Sequence, residues 1–548
     1  MLEFNLINCV FLPSVEAILA FNFLPCVFPV ANTLTTYLVL FTLINNSGLV
    51  FYKLVLYPFF LSPLRHLPKV KGFRPLIGHG WMMMARPSGE PHLQAIKAQP
   101  NAPLLLARGF FHVAWLFPAT PEALADVLVH KSYDYEKPLH TRNFLSRFIG
   151  FGLLMAEGEE HKHSRKNIMP AFSFRHIKDL YRVFWDKSIE FRDVVRRAVD
   201  AEPDKIVDLC RFTTQVTLDI IGLAGLGRDI GSLRNSEDEL VKNFKEMVEP
   251  TREKALFLVL HVIFPAWFIS KLPWGLNKRV EITTGIVRRI TTEFVREIKA
   301  NMKVQGPEKQ PSHDILSMMI RSNSFSDENL VDQLLTLLAA GHETTSSALA
   351  WASYLLSRHP AVQTRLRAEI HEYIPDPKLL SDHNYDIAGL LESMPYLNGV
   401  CNEVLRLFPT IPLTPRVAIR DTIIADQFVP VGTTVFLLPW AINRNPALWG
   451  ADAEEFVPDR WIDKETGRAT MNGGAASNYS FLTFLHGPRS CIGERFARAE
   501  MRAIVAAFVG SFEMEMADPG EKIVVGGSVT SKPVNGMRLR LKLVEWAS

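Results

Sequence analysis

The sequence predicts a mainly α fold with a small β component, an α+β protein preceded by a membrane anchor. Three observations carry this. SDENLVDQLLTLLAAGHETTSSALAWASYLLSRHP, from Ser326 to Pro360, has apolar residues at helical spacing on every face. Strand-like alternation is confined to short segments near Leu104–Phe117, Val417–Leu438 and Met537–Leu543. From about residue 76 to 548 there is no repeat, low-complexity tract or long linker. A length that could hold two or three domains therefore reads as one large unit.

The chain begins differently. Between Glu16 and Lys53 lie 36 residues without a charge, the best stretch being VANTLTTYLVLFTLINNSGLVFY, Val30 to Tyr52. A bilayer span needs about 20 apolar residues, so residues 1–57 are expected to be an anchor region with one span over about 30–52. A cleaved signal peptide fits less well, because a basic first segment is missing and the apolar run is too long. Lys53, Arg65, Lys69, Lys71 and Arg74 follow the run, which places the C-terminal bulk on the cytosolic side. Residues 4–28 are interrupted or bounded by Pro13, Glu16, Pro25 and Pro29, and leave a second pass open. Prolines at 58, 63, 68 and 75 make residues 58–75 an expected stiff, extended connector to the unit at 76–548.

Composition excludes several classes. A net charge of +3 offers no bulk electrostatic case for nucleic acid. The cysteines, at 9, 26, 210, 401 and 491, are odd in number and scattered, with no C-x-x-C pair, so a disulfide framework or structural zinc site is not expected. A reducing compartment follows. His342–Glu343 starts like a zinc-protease motif, but position 346 is serine. GLAGLG at 222–227 and GFGLLM at 150–155 both fail the dinucleotide pattern, and no phosphate loop is present.

Ser326 can cap the long helix, with Asp327 and Glu328 in its first turn, and Pro360 ends it. About 32 residues at 1.5 Å each give roughly 48 Å, enough to cross the middle of the protein. Its centre breaks the local rules. Gly341 is a poor helix former, Thr344–Thr345 is a β-branched pair, and Thr344 can return its hydroxyl to the Ala340 carbonyl. Such inconsistency in a core marks a functional site. Further on, NEVLRLFPT sets Glu403 and Arg406 at i and i+3 among apolar residues, and FVPDRW offers Arg460 as a second cation for the same carboxylate. Near the C-terminus, FLHGPRSCIGERFA sets one cysteine, Cys491, between Gly487 and Gly493, with Arg489 before it and Phe484 upstream. A buried free cysteine is the ordinary reading of such a residue; its surroundings set this one apart.

These stretches carry a resemblance. Cys491 sits in F-x-x-G-x-R-x-C-x-G, AGHETT in [AG]-G-x-[DE]-T-[TS], Glu403 and Arg406 in E-x-x-R, and Arg460 in P-x-R-[FW]. In order and spacing they resemble the cytochrome P-450 family of haem-thiolate monooxygenases, over about residues 60–548, and the anchor with its proline connector is similar to the microsomal eukaryotic type. The resemblance implies the cytochrome P-450 fold, haem b as cofactor, and Cys491 as the axial thiolate ligand of its iron. Gly487 and Gly493 would let the backbone turn tightly and bring amides to the sulfur, and Phe484 would shield it. It also implies propionate partners: Arg489, Arg165 in GEEHKHSRKNIMPAFS, with His161 where the family often has tryptophan, and Arg416 in PTIPLTPR. Ala340 and Gly341 would lie against the cofactor, and Ala340 stands where one branch has a glutamate that can esterify haem, so no covalent link is expected there. Glu343 and Thr344 would be the acid–alcohol pair that handles protons during oxygen activation. Glu403, Arg406 and Arg460 would be structural.

The function so implied is insertion of one oxygen atom from O2 into a hydrophobic small molecule in lipid or specialised (terpenoid- or polyketide-like) metabolism. Only 57 residues follow Cys491, too few for a flavin domain, so electrons are expected from NADPH through a separate reductase. Lys162, Lys166, Arg495, Arg498 and Arg502 are candidates for its docking, and the endoplasmic reticulum is the expected membrane. A reductase-independent isomerase or dehydratase on the same scaffold, or a haem-binding protein without turnover, are the alternatives; Thr344 speaks against both. The expected pocket draws on residues 133–151, 264–274, Leu337, Ala340, Ile411–Leu413 and Val529–Ser531.

Overall fold

Ser326 opens the central helix as its residue type dictates, its hydroxyl accepting the Asn329 amide at 3.2 Å. In this computed structural model, which describes residues 7–23, 33–235, 239–248, 251–264, 266–305, 314–381, 385–527 and 529–546, two helices form the apolar N-terminal segment and six position the site. They are α1 (Leu12–Phe23), α2 (Leu34–Phe51), α3 (Gly158–Ile168), α4 (Phe174–Ala201), α5 (Leu209–Leu226), α6 (Asp327–Arg358), α7 (Pro395–Leu407) and α8 (Glu494–Ser511).

The 32-residue α6 is the axis, ending where Pro360 starts the next helix, Pro360–Tyr373. Leu334, Leu338 and Leu349 on one side and Trp351 on another are all buried, because α5, α7 and α8 surround it. Gly341 makes one of these approaches possible. A Cβ there would lie 3.0 Å from the Ile221 side chain of α5. Its expected place against the cofactor is thus joined by a packing role in which absence of a side chain lets two helices close up.

The β component is small. Strand β1 (Leu104–Arg108) pairs antiparallel with β2 (Ala114–Pro118), so the first strand-like segment is a hairpin. With β3 (Tyr135–Glu136), β5 (Thr414–Ala418) and β8 (Thr434–Leu437) they form a sheet of order β1-β2-β8-β5-β3, where only β2–β8 is parallel. The short β6 (Thr422–Ile424) and β7 (Gln427–Val429) make a separate hairpin. A second sheet joins β4 (Ile206–Asp208), β12 (Arg538–Leu543) and β9 (Phe512–Met516), the last reading FEMEM with alternate residues buried. Finally β10 (Val525–Gly526) pairs with β11 (Lys532–Pro533) across a turn.

At the N-terminus, α2 continues through Leu61, giving one 28-residue helical stretch, Leu34–Leu61, with mean hydropathy 1.5, long and apolar enough to cross a membrane. This corrects the expectation that Pro58 begins an extended connector: Tyr52–Leu61 is a π-helix with Pro58 inside it. The wider turn accommodates a residue that has no amide to donate and would crowd the carbonyl four residues back. Residues 7–23 are helical too, and run antiparallel to α2. Asn45 donates to Glu16 at 2.6 Å, Asn46 to the Cys9 carbonyl at 3.0 Å, and Phe21 meets Tyr37 edge to face. Residues 30–32 of the expected span, and Cys26, lie outside the described residues.

Candidate active site around Cys491

The loop before α8 is shaped by its glycines and its neighbours. Gly487 has φ +74°, and a Cβ on it would fall 2.2 Å from the Leu128 carbonyl, so only glycine fits this close backbone approach. The Cys491 amide donates to the Phe484 carbonyl at 2.8 Å, closing the loop. Gly493 differs from expectation. Its φ of −88° is ordinary, so it is not needed for the turn, and its contribution is a backbone amide near the Cys491 sulfur that favours the thiolate. Phe484 is half-buried and carries the Arg498 guanidinium over its ring at 5.0 Å.

Cys491 keeps accessible surface, and so do Ala340 and Thr344 although α6 is otherwise among the most buried elements. On a longer scale the sulfur is walled by protein, and that governs its acidity: burial pushes the thiol up to about 11, opposed by the Gly493 amide and Arg165. A thiol so placed is deprotonated by binding a cation, as a ligand thiolate is.

Beside it lies a cluster of cations. Lys137, Arg416 and Arg489 surround one carboxylate, Glu157. Arg489 pairs with Glu157 through Nη1, while its Nε is buried and has no hydrogen-bond partner. Burial, with Arg416 next to it, pushes the Lys137 ammonium down to about 7, and burial pushes Arg416 to about 10. His161 is buried on α3, held by Tyr133 at 3.2 Å; burial and then Arg489 drive it to about 3, so it is neutral. Three buried cations against one carboxylate, with an orphaned guanidinium N–H, leave room for further negative charge. A tetrapyrrole carrying two carboxylates satisfies this demand, so the residues present fit haem. Lys137 had no signal in the sequence; an isolated lysine is read as solvated until the fold buries it. Arg165 donates to the Ser490 carbonyl at 2.7 Å and hydroxyl at 3.1 Å. Its guanidinium braces the cysteine loop itself.

The expected structural trio is a single buried cluster. Glu403 and Arg406 on α7 are both fully buried, joined by two bonds of 2.8 Å, and Arg460 Nε reaches Glu403 at 2.9 Å. Two further donors escaped the sequence reading: the Trp461 indole at 2.8 Å and the Val457 amide at 3.0 Å. So did Asn443. Its carbonyl accepts Arg406 at 2.7 Å, while its side chain accepts the Leu482 amide at 2.7 Å and donates to the Thr483 hydroxyl at 2.8 Å. The cluster is thereby tied to the start of the cysteine loop.

On α6, Thr344 returns its hydroxyl to the Ala340 carbonyl at 2.7 Å, as its position allows. Thr345 is buried and turns toward Glu500 of α8, at a geometry short of a formed hydrogen bond. Burial raises the Glu500 carboxyl well above its ordinary range. Of the basic residues named for docking, Lys162, Lys166 and Arg495 are exposed. Arg498 and Arg502 are not available: Arg498 is buried against Glu494 and Asn402, and Arg502 binds Asn398 and Tyr181.

The residues that the fold assembles around Cys491 fit a haem group. The chain belongs to the cytochrome P-450 family, whose sequence model matches residues 102–537, and it is an oxidoreductase. It is 41% identical over 520 residues to cytochrome P-450 monooxygenase sphH of Aspergillus fumigatus, covering 94% of each chain. Cytochrome P-450 monooxygenase FUM15 of Gibberella moniliformis is 38% identical over 534 residues, 89% of this chain and 90% of that one. For cytochrome P-450 monooxygenase ALT8 of Alternaria alternata the identity is 36% over 566 residues, covering 92% and 94%.

Proposed function

We propose that this protein is a membrane-anchored monooxygenase that inserts one oxygen atom from O2 into a hydrophobic small molecule, as a hydroxylation in lipid or specialised metabolism. Electrons come from NADPH through a separate reductase. The observation that carries the reading is the intact Glu343–Thr344 pair on α6 in a chain whose Cys491 loop and cation cluster fit haem b.

Cys491 would hold the iron, shielded by Phe484 and supported by the Gly493 amide. Arg489, Lys137 and Arg416 would bind the two carboxylates, with neutral His161 beside them and Arg165 fixing the loop. When bound, haem b supplies reductive activation of O2, to which the thiolate contributes electron density. Thr344 has a hydroxyl hydrogen and two lone pairs, of which the Ala340 carbonyl engages only the donor. It can therefore accept a hydrogen bond from a second donor while its own hydrogen stays on the Ala340 carbonyl. Glu343, one residue earlier and 19% exposed, is the group that connects this hydroxyl to solvent. The Leu34–Leu61 helix anchors the chain, with its basic following segment and the catalytic unit on the cytosolic side of the endoplasmic reticulum. Lys162, Lys166 and Arg495 are the exposed cations for reductase docking.

The test has two arms. Reduced holoprotein with carbon monoxide should show the thiolate-type absorption band, and NADPH with a reductase should support oxygen consumption. A ligand screen reading the haem absorption shift then finds the substrate class. An isomerase would give the band without NADPH dependence, and either that result or a band without turnover overturns the proposal.

A further inference from the structure

The acid of the Glu343–Thr344 pair is already engaged. Its Oε1 accepts the Thr530 hydroxyl and the Lys532 ammonium, each at 2.8 Å. Thr530 sits on the turn between β10 and β11, and Lys532 is the first residue of β11. The same turn is fastened to α6 further along the helix: the Ser347 hydroxyl and the Trp351 indole, the latter at 3.0 Å, both donate to the Ser531 carbonyl. Ser531 in turn donates its amide to the Thr410 carbonyl at 2.8 Å and its hydroxyl to the Pro409 carbonyl at 3.0 Å. Positions 343, 347 and 351 are four apart, so they form one stripe along α6, and that stripe is where the C-terminal turn lies.

The two kinds of fastening differ. Those at Ser531 are neutral, close on backbone groups, and are buried, with Ser531 only 3% exposed. The fastening at Glu343 is charge-assisted and partly open to solvent, its side chains 19% and 26% exposed for Glu343 and Lys532. Among the described residues Glu343 is the one carboxylate at ion-pair distance from Lys532. The charged contact is therefore the most solvent-accessible member of the set, and its loss removes one of the fastenings that hold the turn and the Ser531 contacts on α6.

We infer that Lys532 is a positioning residue for Glu343: it holds the carboxylate on the C-terminal turn, so that proton handling by Glu343 and the packing of residues 529–533 form one linked equilibrium. Such linkage is reciprocal. A ligand that presses on the turn biases the carboxylate, and a change at the carboxylate loosens or tightens the turn. The functional half of this inference rests on the monooxygenase reading; the structural half does not.

The experiment compares full-length holoprotein with Lys532→Met, Lys532→Arg, Glu343→Gln and the Lys532→Met/Glu343→Gln double variant. Amide hydrogen exchange is followed over residues 529–533, where the Ser531 amide reports. Losing the ion pair should speed exchange there by about tenfold in Lys532→Met and Glu343→Gln. Lys532→Arg should restore protection, and the double variant should exchange no faster than either single one. In parallel, peroxide released per NADPH is measured with a reductase and no added substrate. Lys532→Met should shift this ratio in the same direction as Glu343→Gln, and Lys532→Arg should not. Wild-type exchange in Lys532→Met, additive effects in the double variant, or a ratio that moves in Glu343→Gln but not in Lys532→Met overturns the inference. If the wild type consumes no NADPH, the monooxygenase reading fails while the exchange arm still decides the latch.

Discussion

Replacing Glu403 with alanine should cost this protein its cofactor before it costs its helices. The carboxylate is fully buried and takes five donors: two from Arg406, one from Arg460, the Trp461 indole and the Val457 amide. Glu403→Ala leaves the equally buried Arg406 without its counter-charge. Breaking a buried ion pair from one side costs about 3–5 kcal/mol. Trp461 and Val457 are left with unsatisfied N–H groups at about 1–3 kcal/mol each, although contributions within one network do not add in full. Against a total of about 5–15 kcal/mol, the pair alone removes a large part of the stability. The damage is also aimed, because Arg406 reaches the Asn443 carbonyl and Asn443 holds Leu482 and Thr483 at the start of the cysteine loop. Glu403→Gln, with similar volume and one remaining acceptor oxygen, should lose less. The exposed pair Arg365–Asp459, each side chain 54% exposed, is the control, and Asp459→Asn should change stability by under about 1 kcal/mol. The assay is haem content by absorbance together with urea unfolding of each purified protein. Normal haem content and a loss below about 1 kcal/mol in Glu403→Ala would refute the reasoning, since that is the behaviour of a solvated pair.

Three more outcomes are expected. Cys491→Ala should abolish the thiolate-type band, whereas Cys210→Ser and Cys401→Ser should retain it, because those cysteines lie on α5 and α7, outside the loop of Gly487 and Gly493; a retained band in Cys491→Ala would remove the ligand assignment. Thr344→Ala should fold and bind haem while product per NADPH falls and peroxide rises with a substrate found by the binding screen, and unchanged coupling would take Thr344 out of the mechanism. Glu500 binds its proton more tightly when folded than when unfolded, so its contribution is full below the unfolded value and is lost as pH rises toward the folded one. Glu500→Gln, which cannot ionise, should therefore melt higher than wild type at about pH 8, with the difference shrinking toward about pH 5; a difference that stays constant with pH contradicts a buried, protonated carboxyl.

The chemistry-bearing residues were legible because they are bound to local rules. Ser326 and Pro360 delimit α6 by capping and by a missing amide. Gly487 announces a backbone that admits no side chain, and Glu403 with Arg406 share a helix face by arithmetic. The mainly α class with short strands followed from periodicity, and the order of four motifs placed the chain in its family. What was misread or unseen depends on distance in sequence. Pro58 stayed helical because a π-turn absorbs it, and Gly493 works through its amide and not through an unusual φ. The bond from Arg165 to Ser490 was unseen, and Lys137, Asn443 and Lys532 had no local signal at all. A side chain's burial and its partner are properties of segments far apart in the chain, such as those of Glu343 and Lys532. The sequence by itself determined which groups can do chemistry; which of them are charged, braced or latched was decided only when the fold removed water and set their neighbours.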